Sequence, residues 1–223
     1  MTSDFPFPIS LAVWAHIIGG TAALATFVIP VLSRKGGRLH VRTGWVYAIG
    51  MFLVVVSAFI ITPWRYFLDP ARTEESQGFA FFLFFIALFA LTALQQGIYI
   101  FRHKKRAGRV VSIGSLGLPV LLLFIAFLIL VKGLGSQNWL FVVFALIAGR
   151  TAVMKIKYWL SQPAHPREWW FFHLESMFTC CIATVTAFTV TAVPRLISGI
   201  PIDSVWVWLT PTFGSSRISG YRN

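Results

Sequence analysis

His173 and Glu175 stand in the segment Trp169-Trp170-Phe171-Phe172-His173-Leu174-Glu175-Ser176-Met177-Phe178, which opens a long apolar run ending near Pro194. An ionisable side chain at membrane depth costs several kcal/mol unless it is paired or hydrated, so such a residue marks a functional site by default. The chemistry open to this pair is metal or haem ligation through the imidazole and proton or cation handling through the carboxylate. Residues two apart on a helix diverge by about 200°, so the two side chains do not converge on one small ligand. His173 shares its face with Met177, Cys180 and Thr184. Glu175 shares its own with Thr179, Ile182 and Thr186.

Other polar residues fall at a similar level. At 1.5 Å rise per residue, Glu175 lies about seven residues, roughly 10 Å, inside its span. Arg150 lies about as deep in the preceding apolar run, and Gln95, Gln96 and His173 lie about five or six residues from their span ends. These five residues form an expected intramembrane polar layer. An ion pair between Arg150 and Glu175 is expected within it, because either charge buried alone would be prohibitive. His16 lies roughly 15 Å away from this level, taking an apolar core of about 30 Å, so it cannot share an iron with His173. His40, His103 and His165 occupy the connections on the same side as His173. His173 with His40, or with Met177 instead, is the only pairing suited to a b-type haem. No His-x-x-x-His or Cys-x-x-Cys spacing occurs, so no structural metal site is expected. Lys35, Gly36, Gly37 and Arg38 read as an anion or lipid-headgroup site, a glycine turn between two cations, or simply as a tight turn. Cys180 and Cys181 are adjacent, point apart on a helix, and read as small apolar packing residues.

The elements that must position these groups are membrane spans. The chain has 223 residues, of which 57% are hydrophobic and only 12% charged, with a mean hydropathy of +0.76. A soluble domain carries about a quarter charged residues, so the chain reads as an all-α polytopic membrane bundle. Six runs meet the length of about 20 apolar residues that a span needs: residues 9–32, 44–62, 78–101, 112–131, 138–157 and 169–193. The first is too long for the apolar core of a signal peptide and reads as a retained helix. Residues 1–195 form the six-helix domain. Residues 196–223, with Val205-Trp206-Val207-Trp208-Leu209, form an extracytoplasmic tail that reads as interfacial or partner-docking.

The net charge of +12 does not imply nucleic acid, because the cations cluster between apolar runs. Of the nineteen Lys and Arg, thirteen lie in or beside connections one, three and five. By the positive-inside rule those connections are cytoplasmic and both termini are outside, as in a bacterial inner membrane. Trp45, Trp159, Trp169 and Trp170 are expected at the inner interface, and Trp64, Trp139, Trp206 and Trp208 at the outer one. Gly19/Ala23 and Ala145/Gly149 have the four-residue spacing of close helix contacts.

Two segments resemble a known family. They are His16-Ile17-Ile18-Gly19-Gly20 leading to Ser33-Arg34-Lys35-Gly36-Gly37-Arg38-Leu39-His40-Val41-Arg42-Thr43-Gly44-Trp45-Val46-Tyr47, and His173 followed by Met177 and Ile182-Ala183-Thr184-Val185-Thr186-Ala187-Phe188. They resemble a broad family of bacterial membrane proteins of unknown function. In that family a first-helix His, a Lys-Gly-x-x-His-x-x-x-Gly loop and a last-helix His before a Thr-Ala-Phe run recur. The resemblance covers the first, second and sixth spans and marks His16, Lys35, Gly36, His40, Gly44 and His173. It implies no activity, and Glu175 is not part of its pattern.

No nucleophile motif, dinucleotide fingerprint or phosphate loop occurs, so no catalytic residues are expected. The leading functional reading is a non-catalytic binding or accessory subunit of a larger membrane assembly, of an electron-transfer or photosynthetic kind. Its partners would be lipids and other membrane subunits. The first alternative is a small redox protein binding haem b or quinone. The second is a proton or solute transporter lined by Arg150, Glu175 and the glutamines, although the internal repeats of many transporters are absent.

Overall fold

The computed structural model describes residues 6–196 and Trp208, excepting the side chains of residues 191–196. Helix α1 (Phe7–Thr26) continues into a short α2 (Val28–Leu32). Then follow α3 (Arg38–Phe67), α4 (Glu74–Tyr99), α5 (Leu118–Gly135), α6 (Trp139–Leu160) and α7 (Glu168–Leu196). A 3₁₀ turn (Ile100–His103) ends α4, and a π-helical segment (Ile113–Gly117) leads into α5. The described residues are helical with no strand, and six of the helical stretches are long and apolar enough to cross a membrane.

Local chemistry sets the boundaries. Pro30 lacks an N–H and its ring crowds the carbonyl of Thr26, four residues before it. The first span accordingly breaks at Phe27, between α1 and α2. Thr73 caps α4 through a reciprocal pair with Ser76, with Glu74 and Glu75 in the positive first turn. Asn138 caps α6 by accepting from the Phe141 amide at 3.3 Å. The turn before it holds Gln137 at φ 53°. Several helices outrun the apolar runs. For example, α3 begins at Arg38 and ends at Phe67, where hydropathy alone marks 44–62. Backbone hydrogen bonding continues into the polar interface until a cap stops it.

Helix α1 packs along α3, α3 on α4, α4 on both α5 and α7, and α5 on α6. Helix α4 is the common neighbour and the most buried span. The α1–α3 contact is backbone against backbone. A Cβ on Gly19 would meet the Gly50 carbonyl oxygen at 2.8 Å, and a Cβ on Gly50 would meet that of Gly19 at 2.8 Å. Ala23 is fully buried beside them. The spacing Gly19/Ala23 therefore marks a close crossing, the geometry that small residues permit in membranes. At the opposite end of the bundle, Phe82 of α4 stacks on Phe141 of α6 with ring centroids 4.8 Å apart.

The tail reading largely falls on residues outside those described. Trp208 is an exception. It is buried, with its ring edge-on to Phe79, Phe82 and Phe144 at 6.3, 5.4 and 5.7 Å. This tryptophan packs into the chain's own aromatic core and not at a lipid interface. Trp159, expected as an inner-interface anchor, is also buried completely. Its indole N–H has a partner inside the bundle, so it has no need of headgroup water.

Gly50→Ala should force α1 and α3 apart and lower stability by about 1–3 kcal/mol, the usual cost of overpacking. Gly44 has open space around its Cα, and Gly44→Ala should be neutral or slightly stabilising. Denaturation midpoints of the two variants in detergent micelles check this.

Candidate functional site: a polar seam near the basic face

The seam begins with a proline. Pro119, at the start of α5, has no N–H to offer the carbonyls before it. An α-helical register would leave the Ser115 carbonyl without a donor, and a π register the Gly114 carbonyl. Ser115 is fully buried in the bundle, so protein groups must replace water there. Two adjacent glutamines of α4 do so. Gln95 Nε2 donates to the Gly114 carbonyl at 2.8 Å. Gln96 Nε2 donates to the Ser115 carbonyl at 3.1 Å, with Gly114 at 3.3 Å and Gln95 Oε1 at 2.8 Å. Trp159 Nε1 of α6 then donates to Gln96 Oε1 at 2.5 Å. Gln96 is wholly buried and its amide fully used. Ser112 and Ser115 cap each other reciprocally at the start of the π segment, and Tyr99 closes over Gly114 with its hydroxyl 3.0 Å from Ser112 Oγ.

One residue further along α4, Gly97 gives the seam its second arm. His173 of α7 donates from Nδ1 to the Gly97 carbonyl at 2.8 Å. The missing side chain of Gly97 admits Met177, whose methyl end fills the space a Cβ would take, with Ser176 close by. Ser176 Oγ accepts from Lys155 Nζ of α6 at 2.7 Å, and that ammonium also lies over the Phe172 ring, 4.6 Å from its centroid. Lys155 is 2% exposed and Ser176 fully buried. In an open cleft a serine bonded to a lysine could be a nucleophile with its base. Here both side chains are buried in the bundle, and the pair serves as a bond between α6 and α7.

Arg106 fastens the end of α6. Its guanidinium lies 4.2 Å from the Tyr158 ring centroid and donates to the carbonyls of Ser161 (2.7 Å), Tyr158 (3.0 Å) and Gly108 (3.1 Å). The carbonyls of Tyr158 and Ser161 are orphan acceptors at the negative end of α6. Glu168 lies 3.6 Å from Arg106, an ion pair.

The expected Arg150–Glu175 pair is thus corrected. Both residues are exposed, on the outer surfaces of α6 and α7. Depth placed them on one level, but azimuth separated them. Five residues from Arg150, Lys155 takes the inward position, and next to Glu175 it is Ser176 that turns in. Of the expected layer, Gln95, Gln96 and His173 share the α4 seam, while Arg150 and Glu175 lie outside it. Lys155 and Trp159 belong to the seam and were obscured in the sequence, one by counting as a loop charge and the other as an interface anchor. Arg106 was obscured likewise among the connection cations.

The remaining candidates are placed as follows. His16 bonds across α1 and α3, its Nδ1 3.0 Å from Ser57 Oγ, away from the seam. Gly36 adopts φ 75°, a conformation that favours glycine. Gly37 closes the turn by an N–H to the Arg34 carbonyl at 3.0 Å. Lys35 Nζ folds back onto the carbonyls of Pro30 (2.9 Å) and Val31, and His40 Nδ1 lies 3.0 Å from the same Pro30 oxygen. Lys35 therefore caps α2, while Arg34 and Arg38 are exposed. Tyr47 of α3 meets Thr184 of α7 with hydroxyl oxygens 3.0 Å apart, and Thr184 donates to the Cys180 carbonyl. Cys180 and Cys181 are buried free thiols. Among the described residues no group of three or more His, Cys, Asp or Glu could hold a metal ion.

No protein-family model, curated protein or solved structure matches this chain.

Gln96→Leu should leave the Ser115 carbonyl and the Trp159 N–H buried without partners, at about 1–3 kcal/mol each. A lowered denaturation midpoint, with increased exchange of the amides around residues 112–118, would report the loss.

Proposed function

We propose that this integral membrane protein is a non-catalytic subunit that docks another membrane protein against the outer faces of α6 and α7. The observation that carries the reading is Arg150. It is the twelfth of the 22 residues of α6, about 15 Å from either end at helical rise, and its side chain faces outward. An arginine at the centre of a bilayer-spanning helix costs about 2.5–3.5 kcal/mol on insertion scales. A carboxylate or polar side chain on a neighbouring helix offsets that cost. Glu175, also outward and about 10 Å inside α7, offers a second polar contact of opposite sign. Two charges of opposite sign at different depths would set the register of a partner helix, as polar residues do in membranes.

Connections one, three and five carry the cations, so by the positive-inside rule we place them in the cytoplasm of a bacterial cell. In this reading the seam behind Arg150 holds α6 and α7 in the relative position that the partner meets.

Purification from native membranes in mild detergent, followed by native gel analysis, tests the reading. The chain should run with a stoichiometric membrane partner. Arg150→Leu should release that partner while the chain stays helical and monodisperse. A wild-type chain that runs alone, or a partner fully retained by Arg150→Leu, would sink it.

A further inference from the structure

His40 and His173 are presented in the same way, and the assembly reading uses neither. Each has Nδ1 at a main-chain carbonyl, His40 at Pro30 (3.0 Å) and His173 at Gly97 (2.8 Å). A carbonyl can only accept, so each Nδ1 carries the proton, and in the neutral ring the lone pair is on Nε2. Neither Nε2 has a hydrogen-bond partner among the described residues. A backbone carbonyl on the remote nitrogen is the outer-shell arrangement that fixes the tautomer and orientation of a metal-bound histidine.

The two rings lie on facing sides of neighbouring helices. Helices α3 and α7 both start at the basic face and run the same way. Their facing sides are fixed by the Tyr47–Thr184 contact at 3.0 Å. His40 precedes Tyr47 by seven residues, about two turns, and His173 precedes Thr184 by eleven, about three turns. Each histidine therefore shares the face of its bridge residue. The levels are about 10 Å and about 16 Å below the bridge, one helical turn apart, a gap that two side chains can close. His40 is within electrostatic reach of His173.

The surroundings narrow the ligand. With no cluster of three or more protein ligands among the described residues, a centre held here takes most of its coordination from outside the protein. A porphyrin supplies four nitrogens and leaves two axial positions. Water supplies the remainder for a lone divalent ion. Phe101 forms an aromatic wall, its ring centroid 4.6 Å from that of His173. Lys104 lies over Phe101 and Trp169 at 4.8 and 4.9 Å and provides a cation at the rim. Met177, the other axial candidate, has its methyl end packed against Gly97.

We propose that His40 and His173 bind one transition-metal centre through Nε2, either as axial ligands of a haem or as the two protein ligands of a hydrated divalent ion.

The test uses the full chain purified in detergent without an affinity tag. Haemin is titrated and followed by its Soret band, and Cu²⁺ is titrated separately and followed by electron paramagnetic resonance. One equivalent of one probe should bind, and the probe that binds distinguishes the two sources. His40→Gly and His173→Gly should each weaken binding by about ten- to a hundredfold or more, and millimolar imidazole should restore it. His165→Ala, in an exposed connection, should bind as wild type. Imidazole rescue separates a lost ligand from a lost fold. The proposal is overturned if neither probe binds at one equivalent, if neither glycine variant weakens binding, or if imidazole restores neither.

Discussion

A hydrogen bond that Pro119 cannot make shapes the half of the bundle near the basic face. Its missing N–H leaves acceptors at Gly114 and Ser115 against the packed bundle, where Ser115 is fully buried. The side chains of Gln95 and Gln96 satisfy them and so tie the entry of α5 to α4. Gln96 then takes the indole N–H of Trp159, which attaches α6. The next residue, Gly97, accepts from His173 and admits Met177, which attaches α7. Three consecutive residues of α4 therefore hold three other helices. The requirement that every buried polar group be paired explains why the seam is closed and why Gln96 tolerates little change.

The cations of the chain show three solutions to one electrostatic problem. Arg106 remains at the interface, where its guanidinium caps three carbonyls, stacks on Tyr158 and meets Glu168. Lys155 enters the bundle with a hydroxyl and an aromatic face as its contacts. These contacts offset only part of a desolvation cost of several kcal/mol, so its place near the end of α6, within reach of the interface, matters. Arg150 faces outward at mid-span, the costliest position of the three. The chain itself supplies the compensation for the first two. For the third it supplies none among the described residues, which is the physical basis for expecting a partner there.

The spans were legible because their signal is local. Twenty apolar residues between capped polar connections read as a membrane helix without knowledge of any neighbour, and the six stretches observed match the six expected to within a few residues to a turn or two at each end. The existence of a polar level was legible for a similar reason, since depth follows from counting at 1.5 Å per residue. Gln95, Gln96 and His173 lie in that level and are joined through α4. Arg150 and Glu175, about 15 Å and about 10 Å inside their helices, face outward and are not joined.

What the sequence by itself determined is one-dimensional: the number of spans, the face that carries the cations, and how far each polar residue lies from a span end. Which way a side chain faces around its helix depends on how neighbouring helices cross, and this was decided only in three dimensions. Gly19 against Gly50 brings α1 onto α3, and Gly97 brings α7 close to α4. Those approaches turn Ser176 and Lys155 inward and leave Glu175 and Arg150 outside. Likewise, His173 has a bonded Nδ1 and an open Nε2 only because a carbonyl of another helix, 76 residues earlier in the chain, lies within 2.8 Å. Depth is a property of one helix, whereas partnership is a property of two.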